Sequence, residues 1–232
     1  MRILALDTAT EACSAAVLTP QHLVSRYAEL DRAHAEHILQ MVDAVLAEAG
    51  VALAQLDAIA FGRGPGAFTG CRLAASVAQG LAFGAGRRVV PISDLRALAQ
   101  RVLDDQAGVR GVLVCADARM QEVYWGCYRC DSRGLAEPCG DEQVQAPEKV
   151  ELPSSLEPPV HGVGRGFLAY PQALARLNTR LAAIHGDWLP RAQEVARLAL
   201  PEVTAGRTLA AEQAIPAYLR DDVARPPSSQ RS

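Results

Sequence analysis

Two aspartates each end an apolar run and are followed by a short polar turn. Asp7 precedes Thr8 and Thr10, and Asp117 ends a similar run in the second half of the chain. A carboxylate at the end of a strand can orient a hydrated Mg²⁺, while the amides of the following hairpin, with its small hydroxyl residues, hold phosphate. The same residues can instead satisfy the backbone groups of an ordinary turn. Asp7, Thr8, Thr10 and Asp117 are therefore candidates for a vestigial phosphate site.

A glycine-rich turn follows the predicted strand at residues 56–61. Such turns can cradle an anion at a helix N-terminus. A Walker A loop needs a lysine that is missing here, and the dinucleotide fingerprint fails because Thr69 takes the place of its last glycine. A purely structural turn is therefore at least as well supported as an anion site. Thr69 is also the expected N-cap of the following helix. The residues of this turn are Gly64, Pro65, Gly66, Thr69 and Gly70.

Two pairs of residues have the spacing of metal ligands. His34 and His37 are one helical turn apart, and Cys127 and Cys130 have C-x-x-C spacing. No carboxylate or further histidine accompanies the first pair. The second pair falls in a predicted strand, where residues three apart point to opposite faces. We therefore expect no metal site, and the six cysteines do not predict a disulfide scaffold.

Two long helices are predicted in the first half of the chain. Residues 34–49 form a helix that ends at Gly50, and residues 69–84 form one that is apolar or small on every side. One side of the second helix should pack on its sheet and another on a partner. The expected core stripe of the first helix is Ala35, Ile38, Leu39, Val42, Leu46 and Ala49. The expected partner interface is His34, His37, Met41, Ala44, Arg72, Ala75, Ser76 and Gln79.

Composition limits the function of this 232-residue chain. Half of its residues are hydrophobic, and the net charge is -3. This balance is typical of an α/β protein and argues against nucleic-acid binding by the chain alone, because phosphate contacts need clustered lysine and arginine. No apolar run approaches the roughly 20 residues of a membrane span, and the N-terminus has no signal-peptide pattern. We expect a cytoplasmic protein that does not bind membranes.

The order of predicted elements indicates two halves built on one plan. Apolar strand, aspartate, turn and return strand occur at the start of the chain and again from residue 111. The polar segment 104–108 separates the halves. We therefore expect one lobe at residues 1–104, a reduced second lobe at 105–222, and a disordered tail at 223–232, where proline and serine dominate.

Four blocks together resemble the bacterial TsaB (YeaZ) family. They are residues 1–14 (MRILALDTATEACS), 62–70 (GRGPGAFTG), 117–125 (DARMQEVYW) and 216–220 (PAYLR). The resemblance implies a two-lobed actin-like (ASKHA, ribonuclease H-like) α/β fold, in which the hairpin at Asp7 matches the first phosphate loop of actin-like ATPases and sugar kinases. The paired histidines of the metal-dependent paralogue TsaD have H-x-x-x-H spacing, which His34 and His37 lack.

The resemblance also implies a function. TsaB is the non-catalytic dimerisation subunit of the machinery that makes threonylcarbamoyladenosine at adenosine 37 of ANN-decoding tRNAs. The implied partners are TsaD directly, TsaE within the complex, tRNA through the complex, and a second copy in a homodimer. The isolated chain would carry no cofactor, although a nucleotide could bind at a complex interface. The alternative, based on Asp7 and Asp117, is a stand-alone actin-like ATPase or small-molecule kinase.

Overall fold

The computed structural model describes residues 1–30 and 33–220. The predicted tail at 223–232 lies outside the described residues. The first sheet has five strands in the order β3-β2-β1-β4-β5, with β1 and β2 antiparallel and β1, β4 and β5 parallel. The sequence predicts a meander of three strands at residues 3–7, 12–18 and 22–30, and all three are confirmed. The strands are β1 (Ile3–Asp7), β2 (Ala12–Leu18), β3 (Leu23–Glu29), β4 (Ala58–Gly62) and β5 (Arg88–Ile92).

Helices cover both faces of the first sheet. The predicted long helices, α1 (His34–Ala49) and α2 (Phe68–Ala85), pack on the face that carries Leu4 and Leu6. A late helix, α6 (Ala192–Thr204), packs on the face that carries Ile3 and Ala5. Because successive side chains of a strand point to opposite faces, the solid apolar run of β1 serves both layers.

The second sheet follows the order β11-β10-β6-β7-β8, with β9 also paired to β7. Helix α3 (Asp94–Asp105) packs on one face of it, and two single-turn helices, α4 (Gly166–Ala169) and α5 (Pro171–Leu174), lie on the other. The sequence predicts one short helix at residues 170–177, and the structure has short helical pieces there instead. The strands are β6 (Gly111–Asp117), β7 (Val123–Cys130), β8 (Ala136–Pro138), β9 (Gln143–Gln145), β10 (Val160–Val163) and β11 (Ala183–His185).

The two sheets repeat one topology, which confirms the predicted internal repeat. In each, an antiparallel pair (β1 and β2, or β6 and β7) is extended by two parallel strands (β4 and β5, or β10 and β11). The aspartates Asp7 and Asp117 end equivalent strands. The chain thus has the two-lobed actin-like α/β architecture.

The helices do not follow the division made by the strands. The strands of the two sheets fall on either side of the predicted boundary at residue 104, but α3 packs on the second sheet and α6 on the first. Two predicted helix starts are also wrong. Helix α2 begins at Phe68 with Ala67 as N-cap, so Thr69 lies inside the helix. The sequence predicts a last helix from Pro190 to Leu200 with proline at its start, whereas α6 begins at Ala192. Within residues 1–30 and 33–220, none of the helices has the length and apolar character that crossing a membrane requires.

Candidate functional site

A cleft of about 970 Å³ lies between the two halves, at the ends of β1 and β6. Its walls come from the hairpin after β1, the glycine turn, the N-terminus of α3 and the hairpin after β6. The C-terminal residues 217–220 also line it. The structure therefore brings the two candidate phosphate hairpins and the glycine turn to one place.

The hairpin after β1 is occupied by the chain itself. Asp7 is fully buried, and its Oδ1 accepts a hydrogen bond from the amide of Ala9 at 2.8 Å. The Thr8 hydroxyl donates to the carbonyl of Gly70 at 2.7 Å, and the Thr10 hydroxyl accepts from the amide of Ala12 at 3.1 Å. These groups would have to exchange their partners before they could hold a phosphate.

The glycine turn packs directly on this hairpin. A Cβ added at Gly66 or Gly70 would overlap the carbonyl oxygen of Ala9 or Thr8. The amide of Ala67 also donates to Ala9 at 2.7 Å. Close contact between two stretches of backbone therefore accounts for these glycines, which is the structural interpretation of the turn. Gly64 has a φ of 100°, a left-handed conformation that favours glycine.

Asp94 is a buried acid. The sequence predicts Ser93 and Asp94 only as the cap of a helix that starts at Leu95. Its carboxylate accepts a hydrogen bond from the amide of Gly64, and its own amide donates to the Gly64 carbonyl at 3.1 Å. Burial raises the pKa of both Asp7 and Asp94, and the neighbouring Asp7 raises the pKa of Asp94 further. The cap itself is confirmed, because Ser93 Oγ accepts from the amide of Arg96 at 3.2 Å.

The hairpin after β6 differs from its counterpart. Asp117 accepts hydrogen bonds from the amide of Arg119 at 2.8 Å and from the Tyr170 hydroxyl at 3.2 Å. Arg119, Met120 and Gln121 have φ values of 60°, 54° and 61°. Three successive non-glycine residues in the left-handed region are strained.

Arg220 stabilises this strained hairpin. Its guanidinium pairs with Glu122 and donates to the Ala118 carbonyl at 3.3 Å. The C-terminal family block, residues 216–220, is therefore held against the hairpin after β6. The same block also contacts the first half, because the amide of Ala217 donates a hydrogen bond to the Arg63 carbonyl at 2.8 Å.

Ion pairs join the two halves at the mouth of the cleft. Arg165, which follows β10, lies 3.1 Å from Glu11 and 3.1 Å from Glu29 of the first half. Arg119 approaches Glu11 at 3.8 Å. These partners are partly exposed, so each pair contributes modestly to stability.

On α1, the register differs from the predicted one. Ile38, Val42 and Val45 are buried, whereas Ala35 and Leu39 are exposed, so the predicted core stripe is wrong at both. Among the predicted interface residues, His34 is already bound, with its Nε2 3.0 Å from the carbonyl oxygen of Thr10, and it lines the cleft.

The remaining predicted residues of α1, His37, Met41 and Ala44, are half-buried on one flank. Glu48, one turn further along this flank, pairs with Arg26 of β3. This flank therefore faces the β3 edge of the sheet, whereas α2 lies over β4. The predicted residues of the two helices thus do not form one continuous surface.

On α2, the structure separates the predicted residues. Arg72 and Ser76 are exposed and Gln79 is half-exposed. Ala75 is only 3% exposed and packs in the core of the first half. Ala75 is therefore wrong as an interface residue, because a helix that packs on a sheet buries the side that carries it. The Arg72 guanidinium lies 3.6 Å from the ring centre of Phe68, and its Nε donates to the Tyr218 hydroxyl at 2.9 Å.

The exposed surface of α1 and α2 contains residues that the sequence reasoning missed. Phe83 is 80% exposed and Leu39 is 49% exposed. Gly80 and Gly84 lie on the outer side of α2, and a Cβ at either position would meet no atom within 4 Å. Ser76, Gly80 and Gly84 are spaced four apart, so they form one row of small residues along the helix. That spacing was readable in the sequence, but which side of an all-apolar helix would be exposed was not.

Comparison with known proteins places the chain in a family. The family model described as TsaD, tRNA N6-adenosine threonylcarbamoyltransferase, matches residues 26–225. The chain is 39% identical over 225 residues to the tRNA threonylcarbamoyladenosine biosynthesis protein TsaB of Escherichia coli, covering 97% of this chain and 96% of that protein. It is 38% identical over 232 residues to the TsaB of Haemophilus influenzae, covering 96% and 95%.

Solved structures agree with this placement. A Pseudomonas aeruginosa protein described as similar to peptidase YeaZ superposes with a TM-score of 0.88 at 45% identity, covering 94% of this chain and 99% of that one. A second structure, YeaZ from Pseudomonas aeruginosa, gives a TM-score of 0.84 at 44% identity with the same coverage. The chain therefore belongs to the TsaB (YeaZ) family, and its two halves are the lobes of an actin-like fold.

Proposed function

We propose that this chain is a non-catalytic scaffold subunit of the machinery that makes threonylcarbamoyladenosine in tRNA. Its relatives are named for that pathway. In this proposal the chain binds TsaD directly, TsaE joins the complex, and tRNA is bound by the complex as a whole. The complex then transfers the threonylcarbamoyl group to adenosine 37 of ANN-decoding tRNAs.

The outer surface of α1 and α2 is the observation that carries this proposal. Leu39 on α1 and Phe83 on α2 are large exposed apolar side chains, and the outer side of α2 also carries the row Ser76, Gly80 and Gly84. A glycine inside a helix costs about 0.5–1 kcal/mol relative to alanine. No contact within the described chain explains Gly80 or Gly84, whereas close approach of a partner helix does.

The closed hairpin supports the non-catalytic part of the proposal. In a working phosphate loop the amides and hydroxyls must be free to bind the ligand. Here Asp7 is buried, the Thr8 hydroxyl is bound to Gly70, and the glycine turn covers the hairpin. These contacts disfavour the alternative of a stand-alone ATPase or kinase.

Binding of purified TsaD tests the scaffold role. Ser76→Glu places a charge in the row of small residues, and we expect it to weaken TsaD binding by about 100-fold or more, because an unpaired charge in an interface costs several kcal/mol. Gln172→Glu, an exposed change on α5 of the second half, is the matched control and should bind normally. Equal binding by both variants, with circular dichroism like that of the unchanged protein, would overturn the proposed surface.

Reconstitution tests the pathway. We expect tRNA modification by TsaC, TsaD and TsaE to require this chain and to fail with Ser76→Glu. Calorimetric titration of the isolated chain with Mg-ATP distinguishes the scaffold from a stand-alone ATPase or kinase. An ATPase must bind the nucleotide, whereas the proposed scaffold should release no heat. The same surface can hold a second copy, so a homodimer should dissociate as TsaD is added.

A further inference from the structure

Two neighbouring buried carboxyl groups, Asp94 in the lining of the cleft and Asp7 at the end of β1, each have one oxygen without a donor. Asp7 and Asp94 are 0% and 2% exposed. One oxygen of each accepts a backbone hydrogen bond, from Ala9 and Gly64 respectively. The other oxygens, Asp7 Oδ2 and Asp94 Oδ1, accept no hydrogen bond from any N–H or O–H group of the described residues. Both face the same point, since a Cβ at Gly62 would contact each of them.

Two buried carboxylate oxygens without a donor destabilise the folded state, and two adjacent buried negative charges destabilise it further. A proton on one carboxyl removes both penalties at once, because the resulting O–H donates to the other carboxylate. We propose that Asp7 and Asp94 share one proton, and that this carboxyl–carboxylate bond fastens the hairpin after β1 and the glycine turn to the start of α3. The pair acts as a pH-sensitive latch, independent of the partner surface on α1 and α2.

The latch connects elements that belong to different layers. Asp7 ends the central strand of the first sheet, Gly64 leads into α2, and Asp94 begins α3, which packs on the second sheet. Loss of the shared proton therefore loosens the junction between the halves and the N-terminal end of α2.

Burial is the largest cause of the raised pKa of both carboxyl groups, and few other charged groups of residues 1–30 and 33–220 act on them. His34 of α1 faces Asp7, and Glu142, in the segment between β8 and β9, faces Asp94. The Cys13 and Cys71 thiols of β2 and α2 lie nearby, and burial raises their pKa values, which keeps them neutral. Burial and mutual repulsion raise the pKa of Asp94 well above its ordinary value, so the pair keeps one proton when isolated aspartates have lost theirs.

The direction of the pH effect follows from proton counting. Above the ordinary aspartate pKa of about 4, the unfolded chain has released this proton but the folded chain retains it. Unfolding then releases one proton, so the unfolding equilibrium constant rises about tenfold per pH unit until the folded pair also loses the proton. The stabilisation is complete at low pH and is lost as the pH rises.

Chemical unfolding as a function of pH tests the latch. In Asp94→Asn, the amide oxygen can accept from Gly64 and the amide group can donate to Asp7 without a titrating proton. We expect this variant to lack the about tenfold rise per pH unit. Asp43→Asn, an exposed change on α1, should keep it. A wild-type pH slope in Asp94→Asn would overturn the proposal.

A double variant makes the test specific. Asp7→Asn is expected to be tolerated for the same reason as Asp94→Asn. In the double variant two amide donors face each other with no acceptor, so it should unfold more readily than either single variant. Additive effects, or stabilisation of the unchanged protein by Mg²⁺ bridging the two carboxylates, would contradict a shared proton. Infrared spectroscopy gives a separate test. In the unchanged protein, the carbonyl band of a protonated carboxyl group should persist at neutral pH, and in Asp94→Asn this band should be missing. Absence of the band from the unchanged protein would overturn the proposal.

Discussion

The two halves of this protein share a strand order but cover their sheets differently. The first sheet carries helices of 16 and 18 residues on one face, whereas the corresponding face of the second sheet carries two helices of 4 residues each. Phe167, Leu174 and Leu177 nevertheless bury the second core. Short segments are thus enough to close such a sheet, and the additional helix length in the first half provides an outer surface that a partner can use.

The equivalent turns of the two halves also differ. Asp7 is buried and bonded to Ala9, whereas Asp117 is partly exposed and pairs with Arg119 at 3.0 Å. The glycine turn packs tightly on the first hairpin, while Gly164 and Gly166 press on β6 at the Cys115 carbonyl. Duplication of a topology therefore preserves the close backbone contact but not the chemistry of the aspartates.

The largest effect is expected from a charge in the core of the first half. Ala75→Glu should destabilise the protein by about 3–5 kcal/mol, because it buries an unpaired carboxylate. Its neighbour Ser76 is exposed, so Ser76→Glu should change stability by less than about 0.5 kcal/mol. Urea unfolding measures both. Similar stabilities would show that Ala75 is not buried as described.

The next largest loss of stability is expected from alanine substitutions at the closely packed glycines of the two halves. Gly70→Ala and Gly166→Ala each force a Cβ against a carbonyl oxygen, of Thr8 and of Cys115 respectively. We expect each to lower the unfolding free energy by about 1–3 kcal/mol. Thermal unfolding checks the pair. A neutral Gly166→Ala would mean that close backbone contact is required only in the first half.

A smaller effect is expected from the ion pairs between the halves. Arg165→Ala removes contacts with Glu11 and Glu29 and should cost about 0.5–1 kcal/mol at low salt, with the cost reduced in 1 M NaCl. Arg110→Ala removes an exposed pair with Glu157 inside the second half and should cost less. Unfolding at two salt concentrations measures both, and a larger cost for Arg110→Ala would contradict the role of Arg165.

The smallest change should have opposite effects on stability and binding. Gly84→Ala meets no atom within 4 Å, so it should stabilise the isolated chain by about 0.5–1 kcal/mol through helix propensity. The same methyl group should weaken TsaD binding if a partner helix approaches closely. Unfolding and binding assays on one sample test this, and unchanged binding would place the partner elsewhere.

Local patterns in the sequence predicted most of the elements. The apolar runs of β1 and β6, each ending in an aspartate, predicted the repeated strand-turn-strand units, and Gly50 predicted the end of α1. Such features depend on neighbours within a few residues, which sequence periodicity reports directly. The family motifs predicted the fold class correctly, and the partner interface stays a prediction.

The positions that sequence reasoning missed depend on what each side chain meets in space. The all-apolar pattern of α2 required two covered sides but could not assign Ala75 to the core and Phe83 to the surface. Asp94 appeared to be a cap residue because its partner, Asp7, lies 87 positions earlier in the chain.

The sequence by itself therefore determined most of the elements, the repeat and the glycine turn, because these follow from local periodicity and backbone conformation. Only the tertiary structure decided that α3 and α6 each pack on the other half's sheet, and that the glycine turn closes the first hairpin. It also decided that the carboxyl groups of Asp7 and Asp94 lie beside each other next to Gly62. These features arise from contacts between segments far apart in the chain, and the burial that results sets both the charge of a carboxyl group and the exposure of a helix face.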